Sequence, residues 1–175
     1  EGYSAKPMHS YWDGFFGLRG LGDAVAMARA LGRDDDAARF AAVRDEFRTD
    51  LYRSLDRAIA THGIDYLPGC AELGDFDPAS TTIALDPGGE LDALPRAPLL
   101  ATFERYWRES VARRDGTREW DAYTPYEWRT VGAMVRLGWR ERALAMLDFF
   151  MRDRRPPGWN HWAEVVDREE RHPRF

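Results

Sequence analysis

The sequence predicts an all-α fold built of helical hairpins, and three observations carry that expectation. Apolar residues recur at three- and four-residue spacing through most of the chain, and no segment sustains the alternation of a strand. Helical segments are joined in pairs by very short turns built on single glycines. The remaining connections are long and rich in Gly, Pro and Asp, so hairpins stand side by side with their long loops gathered at one end.

Five helices follow in order. The first runs from about Gly14 to Leu31, with Phe15, Leu18, Leu21, Val25 and Ala28 at helical spacing and Gly32 as its C-cap. Gly14, Gly17 and Gly20 form a small-residue ridge; it lowers helix propensity and implies close packing on a neighbour. The second helix, about Asp35 to Ala60, carries an apolar stripe through Phe40, Val43, Phe47, Leu51, Leu55 and Ile59, with Asp34, Asp35 and Asp36 at its start. The third, about Pro98 to Arg114, buries Leu99, Phe103, Tyr106, Trp107 and Val111. The fourth opens on Thr124-Pro125-Tyr126-Glu127, a capping box with Pro at the first helical position, and ends at Gly138. The fifth follows at once, about Arg140 to Arg152, as the second arm of a hairpin. Two long connections remain, 62–96 and 156–175, and both are aromatic enough to be ordered.

Composition bounds the function. With 44% hydrophobic and 31% charged residues, the 175-residue chain has the makings of one globular domain, and disorder is excluded. A net charge of −5 argues against a nucleic-acid partner, and no apolar run is long enough for a membrane span. Cys70 is the single cysteine, which excludes an internal disulfide and a multi-thiolate metal site and leaves the compartment undecided. Gly20-Leu21-Gly22 follows no strand, there is no phosphate loop or Gly-x-Ser-x-Gly elbow, and His9 and His161 lack companions at metal-ligand spacing. No cofactor is therefore expected. The chain opens without Met or any terminal signature, and it is expected to be a piece of a longer protein.

Three segments can carry chemistry. In His9-Ser10-Tyr11-Trp12-Asp13-Gly14-Phe15-Phe16, aromatics flank an acid at a helix entry. Ring faces suit the C–H surfaces of a pyranose and the carboxylate suits its hydroxyls; equally, Asp13 caps the helix and the rings are core. In the loop Pro68 to Pro78, Glu72, Asp75 and Asp77 fall within six residues. They are candidates for a general acid, or for a solvated turn or a calcium loop without the EF-hand spacing. In Pro157 to Val166, Glu164 sits among Trp159, Asn160, His161 and Trp162. Indole walls would desolvate that carboxylate; alternatively the loop plugs the core and Glu164 pairs with an arginine. Glu127 is read as the reciprocal partner of Thr124 in the capping box.

In this order the three segments resemble the (α/α)6 glycoside hydrolases of the trehalase and processing α-glucosidase kind. Tyr11-Trp12-Asp13-Gly14-Phe15-Phe16 is similar to their sugar-binding Tyr-Trp-Asp motif, with Gly14 as a departure. Glu72-Leu73-Gly74-Asp75-Phe76-Asp77 is similar to their Glu-Ser-Gly-x-Asp motif, offset so that the acid is Asp75 or Asp77. Glu164 takes the place of their late general base. The resemblance implies a toroid of six helical hairpins and a carbohydrate substrate. It implies hydrolysis with inversion, using Asp75 or Asp77 and Glu164 as the catalytic carboxylates. Tyr11, Trp12, Asp13, Glu72, Trp159, His161 and Trp162 would hold the sugar. Residues 1–175 would then be one incomplete toroid domain whose missing half is its natural packing partner. Two other expectations stay open: a toroid-type polysaccharide lyase using Tyr66, Tyr123 or His161, and a non-catalytic module binding glycan or protein.

Overall fold

A computed structural model describes residues 7–154, 158 and 161–168. The described residues are mostly helical, as expected. In chain order they form α1 (Tyr11–Ala30), α2 (Asp34–His62), α3 (Pro78–Leu85) and α4 (Arg96–Arg114). A two-residue strand β1 (Ala122–Tyr123) and a 3-10 turn (Pro125–Glu127) come next, then α5 (Trp128–Arg136), α6 (Arg140–Arg152) and β2 (Val166–Asp167). The chain divides into two compact units, 1–100 and 101–175, with the boundary inside α4. No helix among the described residues is long and apolar enough to cross a membrane.

In the first unit, α1 packs along α2 and against α3. Ser10 is the N-cap of α1 and accepts from the Asp13 backbone N–H, so the helix begins three residues before the expected start and Asp13 lies in its first turn. Tyr11, Phe15, Leu18 and Val25 bury one face of α1, and Leu51, Leu55 and Ala58 bury the facing side of α2. Burial of such side chains contributes about 1.5–3 kcal/mol each. The glycine ridge is shorter than its spacing suggested. A Cβ at Gly14 would stand 2.7 Å from Leu51 Cδ1 and one at Gly17 3.6 Å from Phe47, whereas Gly20 faces nothing within 4 Å. The α1–α2 turn closes at Gly32, with φ +66° and the Arg33 N–H donating back to the Ala28 carbonyl.

The long connection 62–96 holds a helix that the sequence reading treats as loop. Asp77 caps α3, Pro78 is its first residue, and Thr81 to Leu85 are all buried. A helix buried on every side shows no amphipathic stripe, which is why periodicity passes over it.

In the second unit, α5 and α6 form the expected hairpin. Gly138 has φ +79°, and the Trp139 N–H reaches the Met134 carbonyl at 2.8 Å. Phe103, Met134 and Phe150 are completely buried. The capping box is a correction. Thr124 makes no side-chain cap, and the Glu127 carboxylate instead takes Tyr106 Oη at 2.7 Å and both terminal nitrogens of Arg113 at 2.7 and 3.1 Å. Arg113 is largely enclosed and lies over the Tyr123 ring at 4.8 Å. A cation so placed requires a counter-charge, and that requirement outweighs a local cap. The chain after α6 returns to pair β2 with β1 antiparallel, Tyr123 opposite Val166, and Arg168 N–H adds a bond to the Asp121 carbonyl.

Candidate functional site

Two of the three sequence segments meet. Residues around Ser10 and Cys70 form an antiparallel bridge, in which the Tyr11 N–H donates to the Gly69 carbonyl at 2.9 Å and the Ala71 N–H to the His9 carbonyl at 3.0 Å. The aromatic entry to α1 is thereby tied to the acidic loop 68–78. Beside this bridge lies an open cleft of about 760 Å³. Met8, Gly14, Phe47 and Leu51 give it apolar surface. Its polar lining comes from the entry segment through His9, Tyr11 and Asp13, and from α2 through Asp50, Ser54 and Arg57.

Each group is positioned by an identifiable cause. Gly14, the departure from the expected motif, lets Leu51 close on α1, where a side chain would collide. The Tyr11 and Ser54 hydroxyls are 3.0 Å apart, and burial pushes the Tyr11 phenol up. Asp50 is held by Arg53 at 2.5 Å, one turn along α2. His9 Nδ1 lies 2.5 Å from Glu72 Oε1, and the His9 backbone N–H donates to Glu72 Oε2 at 2.9 Å. These contacts, with a hydrogen bond from the Cys70 thiol, hold the Glu72 carboxyl down at about 2. Burial and then Glu72 push the Cys70 thiol up, so it is a hydrogen-bond donor rather than a nucleophile. The carboxylate of Asp13 is exposed on the cleft and makes no hydrogen bond or ion pair among the described residues.

The candidate site residues divide accordingly. Tyr11 and Asp13 line the cleft, and Glu72 braces it through His9. Asp13 does not cap α1, since Ser10 does. Trp12 is not among the lining residues; its ring packs on Phe16 with centroids 5.6 Å apart. Neither acidic candidate lines the cleft. Asp75 folds against Gly69: the Gly69 N–H donates to the Asp75 carbonyl at 3.0 Å, and a Cβ on Gly69 would sit 2.8 Å from Asp75 Oδ2. Asp77 accepts the Ser80 N–H on Oδ1 at 2.9 Å and the Ser80 hydroxyl on Oδ2, so both of its oxygens serve the cap of α3.

The third segment belongs to the second unit. Trp162 is half-buried, donates from Nε1 to the Phe150 carbonyl at 3.2 Å, and meets Trp128 edge-on at 4.9 Å; it is a packing residue. His161 is exposed. Glu164 is exposed as well, so the desolvated carboxylate expected there is not found among the described residues. Trp159 lies outside the described residues. Among the described residues, no three His, Cys, Asp or Glu side chains stand as a metal-binding group.

Sequence reading overlooked the α2 wall of the cleft. Asp50, Ser54 and Arg57 fall at i, i+4 and i+7, and that spacing on a helix whose apolar stripe includes Phe47 and Leu51 was the available signal. Compared with family models, curated proteins and solved structures, the chain matches none.

Proposed function

We propose that the cleft of the first unit is a sugar-binding site, and that the chain serves a carbohydrate-active enzyme of the (α/α)6 glycoside hydrolase kind. The observation that carries this reading is the setting of Asp13. An exposed carboxylate with no hydrogen bond or ion pair among the described residues stands with an aromatic residue, a serine hydroxyl and apolar surface around a cleft of about 760 Å³. Sites for small ligands are typically of about 300–1,000 Å³, mostly apolar, with a few convergent polar groups. A pyranose offers the matching chemistry: a C–H face for the exposed ring of Phe47, hydroxyls for Asp13 and Ser54.

The catalytic part of the reading rests on the sequence order of the carboxylates. Hydrolysis with inversion uses one carboxyl to protonate the leaving oxygen and another to activate water. Glu164 is the base of this reading. The acid of this reading is Asp75 or Asp77; both Asp77 oxygens are held by Ser80, and neither residue lines the cleft. The second reading is a non-catalytic glycan-binding module, and the exposure of Glu164 favours it.

Titration of the protein with mono- and disaccharides, alongside turnover of aryl glycosides, tests both. The sugar-binding reading expects saturable binding that Asp13→Ala weakens about tenfold, the loss of one charge-assisted hydrogen bond. The hydrolase reading further expects turnover that Glu164→Gln abolishes while binding persists. Binding without turnover selects the module; no binding overturns both.

A further inference from the structure

We infer that the sugar taken by the cleft is an acidic one, whose carboxylate is met by Arg57 while its hydroxyls are met by Asp13. The inference rests on the carbohydrate reading of the cleft and adds the class of sugar.

The arginines of α2 set Arg57 apart. The helix carries five arginines, and four of them hold a carboxylate: Arg39 that of Asp36, Arg44 that of Asp45, Arg48 that of Glu90, and Arg53 that of Asp50. Arg57 is the exception, with no hydrogen bond or ion pair among the described residues, and it is the arginine that lines the cleft. Along α2, an arginine without a carboxylate among the described residues departs from the pattern of the other four.

The other ionisable groups of the cleft divide the same way. His9 is engaged by Glu72 and Asp50 by Arg53, which leaves Asp13 and Arg57, among the described residues, as the charged cleft groups without an ion pair. Arg57 stands three residues after Ser54, whose hydroxyl meets that of Tyr11, and its positive charge is felt at the Tyr11 phenol. A guanidinium fork matches a carboxylate through two parallel hydrogen bonds and has no comparable partner on a neutral pyranose. Asp13, an acceptor only, suits donated hydroxyls and repels a second carboxylate, so the pair fixes which end of an acidic sugar lies where.

The test is titration of the full chain at pH 7 with glucose and with glucuronic acid, and with the disaccharides that end in each. Glucuronic acid is expected to bind about tenfold more tightly than glucose, the worth of one charge-assisted contact. Arg57→Gln is expected to lower glucuronic acid affinity about tenfold more than glucose affinity, removing the preference between them, and Arg57→Lys to retain part of it. Glucose binding as tightly as glucuronic acid overturns the inference and leaves the carbohydrate reading standing. An Arg57→Gln variant that folds and loses both sugars equally also overturns it. Binding of neither sugar overturns the inference and the reading together.

Discussion

At the scale of single residues, the first unit depends on close approaches that admit no side chain. Gly74 adopts φ +61°, and a Cβ there would collide with the His62 ring. His62 in turn bonds the Ala71 carbonyl at 3.0 Å, and Tyr66 donates to the Gly74 carbonyl at 2.9 Å, so the acidic loop closes on this point. Gly74→Ala is expected to cost about 1–3 kcal/mol, the range of overpacking in a site that cannot relax; urea denaturation measures it. Glu72 gives a prediction in pH. Its folded carboxyl lies near 2 against an ordinary 4.5, so its ionised form stabilises the fold above pH 4.5, and that contribution disappears as pH falls toward 2. The stability difference between the wild type and Glu72→Gln should therefore shrink as pH falls from 4.5 to 2. A difference independent of pH over that interval would separate the fold from the Glu72–His9 contact.

At the scale of elements, caps and counter-charges govern the starts of helices. Asp77→Ala removes the cap of α3 and is expected to cost about 1 kcal/mol. Asp77→Asn keeps an acceptor for the Ser80 N–H and should cost less, as thermal denaturation of the two variants would report. Glu127→Gln strips the counter-charge from Arg113 and is expected to cost about 3 kcal/mol or more, the penalty of leaving a buried cation unpaired. The helices that sequence reading recovers best are those with one apolar face and a glycine stop. The α1–α2 and α5–α6 turns fall at Gly32 and Gly138 as read, and α6 has the boundaries the periodicity suggests. What was not legible is what depends on distant partners. The segment after Asp77-Pro78 reads as a turn, because only burial on all sides makes Pro78–Leu85 a helix; its one local sign was the acid-proline start. Glu127 reads as a capping residue because Arg113, fourteen positions earlier, cannot be known to face it. The candidate site was legible in the same proportion. Tyr11 and Asp13 are marked by their motif, whereas Ser54 and Arg57 are ordinary helix residues until α1 is laid along α2.

At the scale of the whole molecule, the described chain is a pair of compact helical units, and the proposed function assigns them different tasks. The first carries the cleft with Asp13 and Arg57; the second carries Glu164 on the segment that leads into β2. The sugar-binding claim stands on the first unit alone, and the hydrolytic claim adds Glu164. The two separate experimentally, because Glu164→Gln should leave saccharide affinity within about twofold while removing turnover, an amide having no basic electron pair to offer water. The most direct test of the central claim is a two-dimensional NMR titration of the amide-labelled protein with glucose and glucuronic acid. The account predicts saturable shifts at Tyr11, Asp13, Ser54 and Arg57, with the midpoint moved about tenfold higher in Asp13→Ala. Shifts confined to other parts of the chain, or none at millimolar sugar, would contradict it.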